Sequence, residues 1–247
     1  RNHTPKRCVQ FEKKMTNSEK FLNIYNKIDD YLKKSDNYES YVNYAQKVKN
    51  TKNKVAQRFK DELLSFGELR NAIVHNPKIG NRAIAEPHEN AVLRISELYD
   101  KISNPKKVIP EFQFPVLGAK KEEFINDILV EMKKSSFSQL PVLDDNENVC
   151  ELINNNTISR WLSSKMEENG TIMIDYVKVA DLLPEIEFCE NYKFVSRNTS
   201  IYEAYDLFIT QINKKQRNLD CLFITHSGKK NEKLLGLITI EDIANLV

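Results

Sequence analysis

Leu235-Gly236-Leu237-Ile238-Thr239-Ile240-Glu241-Asp242-Ile243 decides how the C-terminal part of this chain reads. An apolar run passes through a glycine into Thr-x-x-Asp at a helix start. A strand that hands over to a helix at Thr239 leaves first-turn N–H groups unpaired and positive, a suitable seat for a phosphate. Thr239 adds a hydroxyl there. Asp242, one turn in, has two acceptor oxygens for the adjacent hydroxyls of a ribose. The same residues also read as a capping box, in which they satisfy only the helix's own donors.

The pattern occurs twice, which gives it weight. Upstream, Ser138 to Asn146 (SQLPVLDDN) is followed by Val149 to Ile158 (VCELINNNTI); downstream, Asp220 to Gly228 (DCLFITHSG) is followed by Leu234 to Ile243. Each copy runs apolar strand, polar turn, apolar strand, helix start, the order of a hairpin feeding a helix. An amphipathic helical stretch precedes each hairpin, Glu122 to Lys133 and Ile201 to Ile212. The unit is β-α-β-β-α, twice. One such unit cannot cover its own sheet and must pack against the other.

These residues, from about Pro105 to Val247, resemble the cystathionine-β-synthase (CBS) domain family as a tandem pair, or Bateman module. The resemblance implies an intramolecular pseudo-dimer that binds adenosine-containing ligands (AMP, ADP, ATP, S-adenosylmethionine, cyclic dinucleotides) between its repeats. It assigns phosphate and ribose contacts to Thr239 and Asp242. It lines the base with backbone around Phe194, Val195 and Ser196 and around Leu222 and Phe223. Where Gly, Thr and Asp would stand, the first repeat has Glu151, Asn154 and Thr157, so its ribose-binding carboxylate is missing. That implies one competent site and a weakened second one around Asn154, Thr157, Ser138 and Leu140. Residues 105–168 read as the first repeat and 169–247 as the second.

Composition narrows the classes. With 247 residues, 40% of them hydrophobic, the chain has room for about two domains with real cores. It contains no run of eighteen apolar residues and no signal-peptide pattern, so the expectation is a cytoplasmic protein with no membrane partner. Cys8, Cys150, Cys189 and Cys221 are scattered, with neither C-x-x-C nor a histidine at ligand spacing. They read as reduced, mostly buried thiols, with no structural metal and no cofactor. Residues 1–60 hold 15 Lys plus Arg against 6 Asp plus Glu, while the rest is acidic overall. A basic half can steer an anionic partner such as RNA, but a lysine-rich helical surface is more often a solvated face. Arg1 to Lys14 lack the helical period of the residues after Met15 and read as a tag or a disordered extension, with Asn17 or Ser18 as the first helix cap.

From Ser18 to Asn104 the apolar period is helical: Phe21, Leu22, Ile24, Tyr25, Ile28 and Leu32 define a first face. A second helix is expected over Tyr38 to Val48 and a third over Lys54 to His75. A fourth follows Pro87, read as a first-turn proline, and carries Val92, Ile95, Leu98 and Ile102. Short connections imply an antiparallel bundle over residues 15–104, with a polar turn at Asn76 to Arg82. The fold class is therefore α+β, a helical bundle followed by the tandem pair.

Within the third helix, Asn71 and His75 are four apart and share a face, with Arg70 adjacent and long enough to reach the same pocket. Arg-Asn-x-x-x-His resembles the signature of HEPN-type bundles, with Ile84 to His88 similar to their next helix start. In nuclease members, arginine and histidine from two subunits meet. Histidine acts in acid–base chemistry on the RNA 2′-hydroxyl and arginine stabilises the phosphorane, without a metal. Carried over, those roles fall on Arg70, Asn71 and His75. A histidine and an asparagine at a helix end equally serve last-turn carbonyls and need no substrate.

Three functions stay open. The preferred one is a regulatory sensor, in which an adenine nucleotide bound at Asp242 alters the attached bundle. The second is a nucleotide-regulated ribonuclease, and the third a scaffold that binds nothing small. The resemblance implies a homodimer for either of the first two.

Overall fold

Thr16, Asn17 and Ser18 show how the described chain begins. Thr16, rather than Asn17 or Ser18, is the N-cap: its hydroxyl accepts from the Glu19 N–H and Glu19 Oε2 accepts from the Thr16 N–H, closing a capping box. Asn17 and Ser18 are drawn off by tertiary partners, Asn17 Nδ2 donating to the Pro87 carbonyl and Ser18 to Glu86. The computed structural model describes residues 15–75, 85–169, 174 and 176–247. The expectations for residues 1–14 and for the turn at Asn76 to Arg82 lie outside them. The chain divides into two units, residues 1–105 and 106–247, and is mixed α+β.

The first unit contains α1 (Asn17–Ser35), α2 (Tyr44–Asn50), α3 (Lys54–Arg58), α4 (Lys60–His75) and α5 (Glu89–Ser103). Phe21, Ile28 and Leu32 of α1 are fully buried with Val48, Leu63, Ile95, Leu98 and Ile102, following the apolar period in the sequence. Three boundaries differ from expectation. The second helix starts at Tyr44, where the Asn43 side chain caps Gln46 N–H. The third breaks at Phe59, whose ring lies under Arg94 and Lys101; a one-residue departure barely dephases the apolar stripe, so periodicity reads straight through it. Pro87 precedes the His88 cap instead of opening the helix. Arg94 ties α5 to α4 through a two-pronged bond to Glu62, at 2.7 and 2.9 Å.

Tyr25 and Tyr44 stack with centroids 4.4 Å apart. Burial, helped by Asp29, pushes the Tyr25 phenol up to about 12, and burial with Tyr25 beside it raises Tyr44 as well. The folded form holds these protons more tightly than the unfolded chain. That contribution is complete below about pH 10 and is lost as pH rises towards 12. Melting temperature will therefore fall through this window, and Tyr25→Phe will flatten the fall; an unchanged profile in the variant would contradict the assignment.

The second unit begins with α6 (Val108–Glu111). Its first repeat is β1 (Ala119–Lys120), α7 (Ile125–Ser135), β2 (Gln139–Leu143), β3 (Val149–Asn154) and α8 (Asn155–Asn169). A 3-10 turn over Val179–Glu185 leads to β4 (Tyr192–Ser196), α9 (Ile201–Lys215), β5 (Cys221–Thr225), β6 (Gly236–Ile238) and α10 (Ile240–Ile243). In each repeat the first two strands pair in parallel and the hairpin is antiparallel, giving sheets β1-β2-β3 and β4-β5-β6. The segments ahead of the two repeats are exchanged. Lys106 and Val108 bond to Ile201 and Thr199 of the second repeat, while Val177, Val179 and Ala180 bond to Ile125, Glu123 and Lys121 of the first. Val108 is accordingly buried with Val195, Leu222 and Ile243, and Val179 and Leu182 with Ile125 and Trp161. The packing units thus interleave and do not follow chain order. A third cluster, Val149, Leu152, Tyr192, Cys221 and Phe223, joins the two sheets. β5 is buried on both faces: Leu222 and Ile224 point to one core and Cys221 and Phe223 to the other, as a period of two requires.

Candidate ligand cleft and a helical polar cluster

At the end of β6 the chain turns into α10 at Thr239. Asp242 Oδ2 accepts from the Thr239 N–H at 2.7 Å and from the Thr239 hydroxyl at 2.8 Å, and Asp242 N–H donates back to that hydroxyl. The capping box is formed. Among the described residues Asp242 Oδ1 takes no hydrogen bond, and both residues line a cleft of about 260 Å³. The cap bonds from Thr239 thus use Oδ2 alone and leave the second oxygen of the carboxylate outside the box. The opposite walls come from the first repeat and its leading segment: Phe112, Phe114, Phe137, Ser138 and Pro141. Gly236 is what lets Phe112 approach, since a Cβ there would collide with the Phe112 carbonyl oxygen. α10 is a single turn, and two of the donors at its start are already used. The Ile240 and Glu241 N–H groups stay outside the box, so the phosphate seat expected from the sequence is shorter and has fewer donors.

A second cleft of about 230 Å³ occupies the equivalent place at the end of β3. Here the roles invert. Asn154 Oδ1 accepts from both the N–H and the hydroxyl of Thr157, so an amide caps where the other repeat has a hydroxyl, and a hydroxyl stands where the other has a carboxylate. Thr157 is 2% exposed, close to inaccessible. Glu151, at the glycine position, turns its carboxylate onto the Glu190 N–H. Opposite lie Phe188, with the Arg217 guanidinium 4.3 Å from its ring centre, and Asp220, whose carboxyl is raised by burial.

The other residues singled out in the sequence fall elsewhere. Val195 and Leu222 are core, Phe223 belongs to the cluster between the sheets, and Ser196 Oγ donates to the His226 carbonyl. None of these four lines either cleft. Ser138 joins the Thr239/Asp242 cleft rather than the Asn154/Thr157 one, and Leu140 is buried against Ile153 and Trp161. Phe112, Phe114, Phe137, Glu241 and Arg217 are not expected from the sequence. The one available signal is the aromatic run Phe112-Gln113-Phe114 just ahead of the first repeat.

In the helical unit, Arg70 Nη1 lies 3.2 Å from Asn71 Oδ1 and 2.9 Å from His75 Nε2. Arginine only donates, so Nε2 is the acceptor and the ring proton sits on Nδ1. All three residues border a cleft of about 750 Å³ with Tyr25, Tyr44 and Asp29.

Among the described residues no cluster of His, Cys, Asp and Glu is placed to hold a metal ion, and no helix is long and apolar enough to cross a membrane. Cys221 is buried, Cys150 half-buried and Cys189 exposed, so the thiols are less buried than expected; Cys8 lies outside the described residues.

Residues 185–247 match the family described as CBS domain. No curated protein matches the chain. Several solved structures are similar. The CBS-pair protein CBSX2 from Arabidopsis thaliana is 17% identical, with 58% of this chain covering 94% of that one at a TM-score of 0.40. A structure of CBSX2 in complex with AMP is 16% identical over 57% and 95% (0.39). The CBS domain pair of protein MJ0100, in complex with 5-methylthioadenosine and S-adenosyl-L-methionine, is 14% identical over 57% and 95% (0.38). Similarity at that level adds no weight to the family match, which covers the second β-α-β-β-α unit with its Thr239/Asp242 turn: residues 185–247 are similar to the CBS domain family.

Proposed function

We propose that the second unit binds an adenosine-containing ligand in the Thr239/Asp242 cleft and that occupancy regulates the attached helical unit, the protein working as a homodimer. The observation that carries the reading is Asp242 Oδ1, an acceptor without a protein partner among the described residues, at a cleft walled by Phe112, Phe114 and Phe137. Carboxylate for ribose hydroxyls and aromatic surface for a base are the two groups a nucleoside site needs. Regulation requires that the ligand bind one arrangement of the protein better than another. The equivalent Asn154/Thr157 cleft has Thr157 in place of a carboxylate at the Asp242 position and contributes a weaker site or none. Mass spectrometry of small molecules released from the purified, heat-denatured protein tests the reading. An adenine-containing compound near one per chain supports it, and a different class of molecule refutes it.

A second reading is favoured by one observation, the convergence of Arg70, Asn71 and His75 on a cleft of the helical unit. It makes the protein a HEPN-type, metal-independent ribonuclease. Arg70 would then release His75 Nε2 for proton transfer and turn to the phosphorane. On this reading single-stranded RNA is cut in the presence of EDTA, and His75→Ala lowers the rate about 100-fold or more with the fold intact. Cleavage that survives His75→Ala belongs to a contaminant and ends the reading.

A further inference from the structure

We infer that the Thr239/Asp242 cleft selects an adenine nucleoside whose 5′ substituent is neutral or cationic and discriminates against 5′-phosphates. This rests on the ligand site proposed above and narrows the class of molecule it takes. Among the described residues that line the cleft there is no lysine or arginine, and there are two carboxylates, Glu241 and Asp242. A phosphate monoester carries about −1.5 to −2 charges at neutral pH. It would enter beside like charge, with no lysine or arginine among the described lining residues to offset it. Lys133 borders a neighbouring depression that shares Ser136, Phe137 and Ser138 with the cleft, but it does not line the cleft itself.

One further feature points the same way. Phosphate sites at helix N-termini draw on a long helix and free N–H groups. α10 has four residues, and the Thr239 and Asp242 N–H groups are spent on the capping box, which leaves those of Ile240 and Glu241 outside it. The volume of about 260 Å³ suits a nucleoside better than a cyclic dinucleotide and does not separate S-adenosylmethionine from AMP. The phenylalanine rings and the carboxylates together also attract a positive substituent, as aromatic faces and anions both do.

The test is calorimetric titration of the full chain with four probes: adenosine, S-adenosylmethionine, AMP and ATP. Adenosine or S-adenosylmethionine will bind at least about ten-fold more tightly than AMP or ATP, a gap of about 1.4 kcal/mol. Glu241→Gln will narrow the gap by strengthening AMP. AMP or ATP binding as tightly as adenosine overturns the charge selection while the ligand site stands, and loss of that binding in Lys133→Ala would name the cation responsible. A gap unchanged by Glu241→Gln also overturns it. Failure of all four probes to bind overturns the ligand site itself.

Discussion

Asp242→Ala will abolish the rise in melting temperature that a bound adenine nucleoside gives the wild-type protein. A ligand at about 100 times its dissociation constant stabilises by about 2.7 kcal/mol. For a unit of this size that is a shift of roughly 5–10 °C. The variant also loses the bonds from Thr239 N–H and hydroxyl to Oδ2, so its ligand-free stability drops by about 0.5–2 kcal/mol. The decisive quantity is therefore the ligand-induced shift within each protein, not the absolute melting temperature. Asp242→Asn separates the two effects further, because an amide oxygen can still cap α10 while the charge is gone. A full shift in either variant would remove Asp242 from the site.

Gly236→Ala will be among the most damaging single substitutions in the second unit. The added Cβ would run into the Phe112 carbonyl oxygen and fall 3.3 Å from Ile224 Cδ1. The first of these is backbone, which cannot rotate away. The Phe112 segment and β6 must then separate, breaking the Phe114 N–H bond to the Leu235 carbonyl. Overpacking of this kind costs about 1–3 kcal/mol, and a backbone clash lies at the upper end. Because Phe112 and Phe114 also wall the cleft, ligand affinity will fall with stability. Chemical denaturation measures the first effect and titration of the folded fraction the second. An alanine variant with wild-type stability would show that the Phe112 segment does not pack against β6 as described.

The two predictions separate what the sequence can reveal from what it cannot. Thr239-x-x-Asp242 is a local pattern: its cap is formed, and Thr239 and Asp242 also line a cleft. The β-α-β-β-α repeat is equally readable, because apolar runs bounded by polar turns mark hairpins without reference to distant residues. The exchange of the leading segments is not. Lys106 pairs with Ile201 across about ninety residues, and nothing in either segment's own period announces the partner. The aromatic walls stay hidden for that reason: Phe112 reaches the cleft only because its segment crosses to the second repeat. Reading Leu222 and Phe223 as neighbours of a base ignores that β5 is the middle strand of its sheet, buried on both faces. In the helical unit the apolar period identifies the buried faces of α1 and α5. It misses the break at Phe59, which barely shifts the phase of the apolar stripe, and the Thr16 cap, a local Thr-x-x-Glu box that apolar period does not register.

The measurement that tests the central claim most directly is calorimetric titration of adenosine into the wild-type protein and into Asp242→Ala. The account predicts a saturating isotherm with one strong site per chain in the wild type and none in the variant. No binding of adenosine, S-adenosylmethionine, AMP or ATP to the wild type, or equal binding of any of them to both proteins, would contradict it.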